Sequence, residues 1–243
     1  MKKFRDRLLQ KIKCILFDVF GTVVDWRESI ASEASLLGKK YKINGNWYEF
    51  ADKWRNAYNT EIQSVNQGKR NWISVDDIHM ERLETLLEEY KFPKLEKEKK
   101  ISFNQSWHRL KPWPDSVEGL QRLKSKYIIA PLSNGNMSLL TNMGKYSNLP
   151  WDAIISAELS TKYKPDPSVY QLGAKLMGCK TSETLMVAAH KFDLIGALNA
   201  GLLAAMVIRP KEFGERKADI DNDTRWEYYS KDFNELADQL NCK

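Results

Sequence analysis

The run Cys14-Ile15-Leu16-Phe17-Asp18-Val19-Phe20, followed at once by Gly21-Thr22, constrains this chain more than any other segment. It is apolar except for one acid near its end. A run without alternation reads as a strand covered on both faces, the pattern of a parallel sheet. An ionised carboxylate at the end of such a strand is costly unless hydrogen bonding or a function compensates it. Asp18 is therefore either a cap for the turn or a reactive group.

Comparable runs recur at Tyr127 to Leu132, Ala153 to Ser156, Leu185 to Ala189 and Ala204 to Ile208. Helical patterns fall between and after them, at Ser116 to Lys124, Met137 to Lys145, Pro167 to Met177, Leu194 to Ala200 and Phe233 to Leu240. Strands alternating with helices predict an α/β fold, a doubly wound parallel sheet.

The stretch from Trp26 to Lys111 breaks that rhythm. It holds four amphipathic patterns, near Arg27 to Tyr41, Trp47 to Val65, Asp76 to Tyr90 and Leu95 to Leu110, with breakers at Gly45, Gly68 and Pro93. An all-helical block inserted after the first strand reads as a helical cap domain over residues 26–111, on a core made of residues 1–25 and 112–243. Pro112-Trp113-Pro114 reads as the stiff return hinge, because each proline fixes its own φ and restrains its predecessor. No internal repeat or low-complexity segment interrupts this plan.

Composition narrows the partners. The chain carries a net charge of +6 with a pI near 9.0, but Lys and Arg are interleaved with Asp and Glu. That spread argues for solubility and attraction of small anions, not for nucleic acid. Even the densest basic run, Lys94 to Lys100, is interrupted by Glu96 and Glu98 and reads as a solvated helix face. Cys14, Cys179 and Cys242 are odd in number and far apart, so neither a disulfide framework nor a zinc site is indicated, and a reducing cytoplasm is the natural setting. Met1 to Lys13 imitates the start of a secretory signal, yet the apolar run behind it carries Asp18 and lacks a small-residue cleavage pattern. Gly196 to Ile208 is too short to cross a bilayer, so no membrane partner is expected.

Ligands of open α/β sheets bind beyond the carboxyl ends of the strands. Besides Asp18, that edge receives Ser133-Asn134-Gly135 after the second apolar strand. Lys164, in Tyr163-Lys164-Pro165-Asp166-Pro167, comes after the third strand, and Asp193 after the fourth. This order of Asp with Gly-Thr, then Ser, then Lys, then an acid resembles the haloacid dehalogenase superfamily, over nearly the whole chain and including the place of the cap.

Most members of that superfamily are magnesium-dependent phosphatases. They carry a second Asp two residues after the nucleophile, where this chain has Phe20, and often a metal-binding acid where this chain has Ala189. Two carboxylates alone, Asp18 and Asp193, would hold magnesium poorly. A departing halide needs no proton, so Phe20 suits carbon–halogen displacement, where an apolar wall keeps water away. Asp-Val-Phe-Gly-Thr, Ser-Asn-Gly and Tyr-Lys-Pro-Asp-Pro most resemble the L-2-haloacid dehalogenases, whose cap supplies an Arg after a Trp, matched here by Trp54-Arg55.

The resemblance implies metal-independent, cofactor-free hydrolysis of short 2-haloacids, with Asp18 as the nucleophile that forms an ester. It implies that Lys164 keeps Asp18 ionised, that Thr22 and Ser133 orient the nucleophile or hold the substrate carboxylate, and that Arg55 and Asn134 cradle the halide. Asp193 would hold Lys164 and place the hydrolytic water; Tyr170 is either part of that network or plain core. Val19, Phe20, Trp26 and Phe192 would wall the pocket. Family members are often dimers, so a homodimer is possible. The alternatives are a magnesium-dependent phosphatase on the same fold and a catalytically silent anion-binding protein.

One departure stands out. Where the family carries Ser and Asn before the last acid, this chain reads Ala188-Ala189-His190. His190 is a general base for water, a halide contact in its charged form, or a hydrogen-bonding group at the strand edge. His79 and His108 lie on charged helical segments and read as surface residues. The tryptophans Trp26, Trp47, Trp54, Trp72 and Trp107 read mainly as cap core.

Overall fold

The computed structural model describes residues 11–220 and 223–243; the basic start of the chain read above lies mostly outside them. Six parallel strands form one sheet: β1 (Cys14–Phe17), β4 (Ile128–Ser133), β5 (Ile155–Ser156), β6 (Thr184–Ala188), β7 (Leu203–Val207) and β8 (Tyr228–Ser230), in the order β5-β4-β1-β6-β7-β8. The chain winds outward from β1 through β4 to β5, then returns to the other side of β1 and winds through β6 to β8. Each side of β1 thus belongs to a different half of the winding, and the crevice at its carboxyl end is the switch point where such sheets bind ligands. The strands are buried on both faces, which is why their sequences do not alternate.

The crossovers are α5 (Ser116–Lys124), α6 (Met137–Tyr146), α7 (Pro167–Leu176) and α8 (Lys191–Asn199), with α9 (Phe233–Gln239) last. Helices α5 and α9 pack together, as do α7 and α8. Asp166 caps α7 by accepting from Ser168 N at 2.9 Å, and Pro167 supplies the preset φ of a first helical position. The ladder of β1 ends at Phe17, earlier than its apolar run, because Asp18 N gives its last sheet bond to Val187 O (2.9 Å) and the chain then turns. Val23 and Val24 donate back to Val19 O, closing that turn.

Strand β2 (Val24–Asp25) leaves the sheet domain and β3 (Lys111–Pro112) returns to it as an antiparallel pair. Between them lie α1 (Trp26–Tyr41), α2 (Trp47–Asn66), α3 (Val75–Glu89) and α4 (Lys97–Asn104). Asp25, Asn46 and Ser74 cap the first three, each accepting a backbone N–H from the first turn. The fourth pattern, read as one helix over Leu95 to Leu110, divides: α4 tightens into a 3-10 turn at Gln105–Arg109. That turn brings Trp107 into the interior, stacked on His79 at 4.1 Å and edge-on to Trp54 at 5.6 Å.

Two surface readings are corrected here. His79 is 1% exposed beneath Trp107, and burial holds its pKa well below the ordinary value, so it is a neutral core ring. His108 is also buried, its Nε2 2.9 Å from the Asp76 carboxylate and its Nδ1 3.0 Å from Asn142 Nδ2. Both lie on charged segments whose inward faces the pattern alone did not separate. The edge strand β8 went unread because its three residues are too short to show a period.

Candidate active site

Asp18 lies at the tip of β1, 7% exposed, on the floor of a cavity of about 520 Å³. Its two oxygens have different partners. Oδ1 accepts from Lys164 Nζ at 2.9 Å. Oδ2 accepts from Thr22 Oγ1 at 2.7 Å and lies 3.1 Å from His190 Nδ1. The direction of the Thr22 proton is fixed, because the same oxygen accepts from Ala189 N at 2.9 Å and must turn its hydrogen toward Asp18. Burial alone would raise the Asp18 pKa, but the Lys164 charge and the His190 hydrogen bond overcome it and hold the carboxyl well below its usual range.

Lys164 continues the network behind Asp18. Its ammonium also bonds Asp193 Oδ2 at 2.5 Å, and Tyr170 donates to Asp193 Oδ1 at 2.5 Å. Burial would discharge the lysine, yet two flanking carboxylates push its pKa up instead. Burial raises the Asp193 pKa in spite of Lys164, and burial with the Asp193 charge drives the Tyr170 hydroxyl upward, so Tyr170 stays a donor. Asn134 clamps the lysine's backbone, accepting from Lys164 N at 2.7 Å and donating to Lys164 O at 3.4 Å.

On the other flank, His190 Nε2 lies 3.0 and 3.1 Å from the two oxygens of Glu212. Glu212 is 3% exposed and also accepts from Trp26 Nε1 at 3.0 Å. Burial would lower the imidazole's pKa, but Glu212 and Asp18 raise it well above the ordinary value. Gly21 makes room for this acid: a Cβ there would fall 2.0 Å from Glu212 Oε1, and its φ of +84° suits glycine.

From across the cavity, α2 brings Arg55. Its guanidinium carbon lies 3.9 Å from the Tyr58 ring centroid, 5.4 Å from that of Phe20 and 5.9 Å from that of Trp26. Among the described residues no carboxylate pairs with it, so its charge is free to take an anion within an aromatic cage. Phe192 is 57% exposed and stacks on His190 at 5.7 Å, forming part of the rim.

Asp18, Phe20, Trp26, Arg55, Asn134, Lys164, His190 and Phe192 thus line one cavity. Thr22, Tyr170 and Asp193 lie behind it, bonded to the residues that do. Two expected contacts lie off the cavity lining: the Val19 side chain is buried while its carbonyl closes the turn, and the buried Ser133 Oγ accepts from Gly135 N at 3.2 Å.

Glu212 is the residue that motif reasoning missed. It stands in Arg209-Pro210-Lys211-Glu212, among many exposed charges. Its signals were its place just after an apolar strand and the Gly21 opposite it.

A parallel sheet wound both ways from β1, with a buried acid–lysine–acid row at its carboxyl edge and a helical segment above, defines a hydrolase of the haloacid dehalogenase kind. A family model described as haloacid dehalogenase-like hydrolase matches residues 12–201. The chain belongs to that family. It is 28% identical over 220 residues to (S)-2-haloacid dehalogenase 4A of Burkholderia cepacia, covering 83% of this chain and 85% of that one. Among solved structures, a defluorinating L-2-haloacid dehalogenase superposes with a TM-score of 0.92 at 38% identity, over 95% of this chain and 96% of that one. A second L-2-haloacid dehalogenase gives 0.88 at 36% identity, over 94% and 99%.

Proposed function

We propose that this protein hydrolyses the carbon–halogen bond of short 2-haloacids, yielding a 2-hydroxyacid and halide through an ester on Asp18. The observation that carries this reading is the pairing of an ionised, cavity-facing Asp18 with Phe20 where a phosphatase has its proton-donating acid. Asp18 attacks the substrate Cα from the side opposite the halogen, so the centre inverts. Oδ2 already receives two donors, whereas Oδ1 receives only the lysine and keeps a lone pair for attack. Arg55 receives the departing halide, and the aromatic cage of Phe20, Trp26 and Tyr58 limits water around the reacting carbon.

The donor set does not suit a divalent ion. Ala189 offers a methyl group where a further oxygen ligand would be needed, and the two carboxylates Asp18 and Asp193 alone would hold the ion poorly. Among the described residues no helix is long and apolar enough to cross a membrane.

The test is halide release from L-2-chloropropionate and from haloacetates, with and without chelator, by the native protein and Asp18→Asn. Release that ignores chelator and disappears in the variant supports the reading. Phosphate release from a generic ester only with magnesium, or no halide from any of these acids, overturns it.

A further inference from the structure

The ester on Asp18 must itself be hydrolysed, and the geometry around Oδ2 bears on how. This inference rests on the reading just given. If Oδ1 attacks, Oδ2 becomes the carbonyl oxygen of the ester, and negative charge develops on it when water adds to Cγ. Two groups already meet that atom: Thr22 Oγ1 at 2.7 Å, its hydrogen directed there by Ala189 N, and His190 Nδ1 at 3.1 Å. On the far side of the ring, Nε2 meets only Glu212 oxygens, which accept and cannot donate. Oδ2 is an acceptor as carboxylate, as ester carbonyl and as oxyanion. The imidazole therefore faces acceptors on both nitrogens at every stage, which favours the doubly protonated ring.

We propose that His190 and Thr22 form the oxyanion hole for ester hydrolysis on Asp18, and that Glu212 is a positioning residue that keeps His190 a donor. In the step itself, water oxygen bonds to Cγ and the carbonyl π pair moves to Oδ2, where the two donors receive it. The pair then returns as the Cγ–Oδ1 bond breaks. Oδ1 leaves as the product hydroxyl oxygen, and the water oxygen becomes the new carboxylate oxygen. Of the two water protons, one ends on the product hydroxyl, where Lys164 Nζ stands beside Oδ1, and one is released to solvent together with the halide. A histidine acting as base would instead need an unprotonated Nδ1 with water between it and Cγ, whereas here Nδ1 lies against Oδ2 itself.

The charged groups around the ring fix the expected pH behaviour. Asp18 and Glu212 touch it, Lys164 and Asp193 lie behind Asp18, and Arg55 with the Asp52–Arg216 ion pair lines the same cavity. Both touching groups are acids and favour the charged ring. Hydrolysis of the ester is then fast while His190 holds its second proton and slows as pH rises through its raised pKa.

The experiment is rapid-quench turnover of L-2-chloropropionate, following halide release and the intact protein mass, for the native protein, His190→Gln, Glu212→Gln and Thr22→Val. We expect the variants to keep a burst of about one equivalent of halide while the ester accumulates. Its hydrolysis should slow by about 100- to 1,000-fold in His190→Gln, the range for one lost oxyanion donor. Glu212→Gln should move the alkaline fall of the hydrolysis rate to lower pH, and Glu212→Asp should restore part of it. A native hydrolysis rate that rises with pH through the His190 titration overturns the proposal, and needs no variant to be seen. So does loss of the halide burst in His190→Gln with no ester accumulating. Native protein that never carries the ester would sink the dehalogenase reading itself, a different result from either.

Discussion

The two flanks of Asp18 are built alike and differ in depth. On one side, Lys164 lies between Asp18 and Asp193, with Tyr170 behind; on the other, His190 lies between Asp18 and Glu212, with Trp26 behind. Each is a cation held between two carboxylates, closed by an aromatic donor. On the lysine flank, Lys164 stands in the loop before α7 and Asp193 in the first turn of α8, and both side chains are almost sealed. The histidine flank opens on the cavity, and its outer acid comes from the loop after β7. The difference suggests a division of work: the sealed cation fixes the charge of the nucleophile permanently, while the ring at the cavity wall meets the charge that appears only during reaction.

The largest effect should come from breaking the sealed flank. Lys164→Met leaves the buried Asp193 with no cation beside it and Asp18 with His190 alone. Removing one partner of such a buried pair costs about 3–5 kcal/mol of stability. Halide release should fall by more than about 1,000-fold, beyond the loss of a single oriented donor, because Asp18 loses the charge that stands at its attacking oxygen. Glu212→Gln should destabilise far less, since a neutral amide replaces one charge and His190 can discharge. Equilibrium denaturation of both variants checks this, and equal losses would show that the flanks are not different after all.

A smaller effect is expected at Gly21, which touches neither flank's chemistry but limits how near Glu212 can come. Gly21→Ala puts a methyl carbon about where Glu212 Oε1 lies and holds a side chain at φ +84°. The backbone strain alone costs about 1–3 kcal/mol. With Glu212 displaced, the halide burst should persist and the later hydrolysis should slow, as in Glu212→Gln. If Gly21→Ala slows both phases alike, the glycine serves the turn around Asp18 rather than the acid.

The sealed flank was legible in the sequence and the open one only by half, for a physical reason. Asp18 ends one apolar run and Asp193 follows another within a few residues, so burial of the run fixes where the charge must emerge, and Lys164 stood out in Tyr163-Lys164-Pro165-Asp166-Pro167. His190 showed itself as a departure from the pattern of related chains, without its partner. Glu212 shares its loop with Arg209, Lys211, Glu215 and Arg216, and an acid among so many charges reads as solvated. Arg55 was found through Trp54, which is itself core, fully buried with Nε1 donating to His79 O at 2.8 Å. The misread His79 shows the same limit from the other side: helical spacing around it is charged, and only packing against Trp107 reveals that it faces inward.

Trp26 allows the finest test, because its effect should be small and opposite in sign. Trp26→Phe keeps an aromatic ring against Trp107 and Arg55 but removes the indole N–H that Glu212 Oε1 accepts. That bond draws charge away from the side of Glu212 facing His190. Without it, Glu212 stays in place through its two contacts with Nε2 and bears more fully on the ring. The His190 pKa, already raised, should rise further, so the alkaline fall in ester hydrolysis moves to higher pH, whereas Glu212→Gln moves it to lower pH. The rate on the plateau should change by less than about tenfold, below the full weight of a hydrogen bond to a charged group (about 1.5–3 kcal/mol), because the bond removed touches neither Asp18 nor His190. A shift to lower pH in Trp26→Phe would mean that the indole holds Glu212 in position, and that the acid's placement depends on Trp26 more than on the histidine.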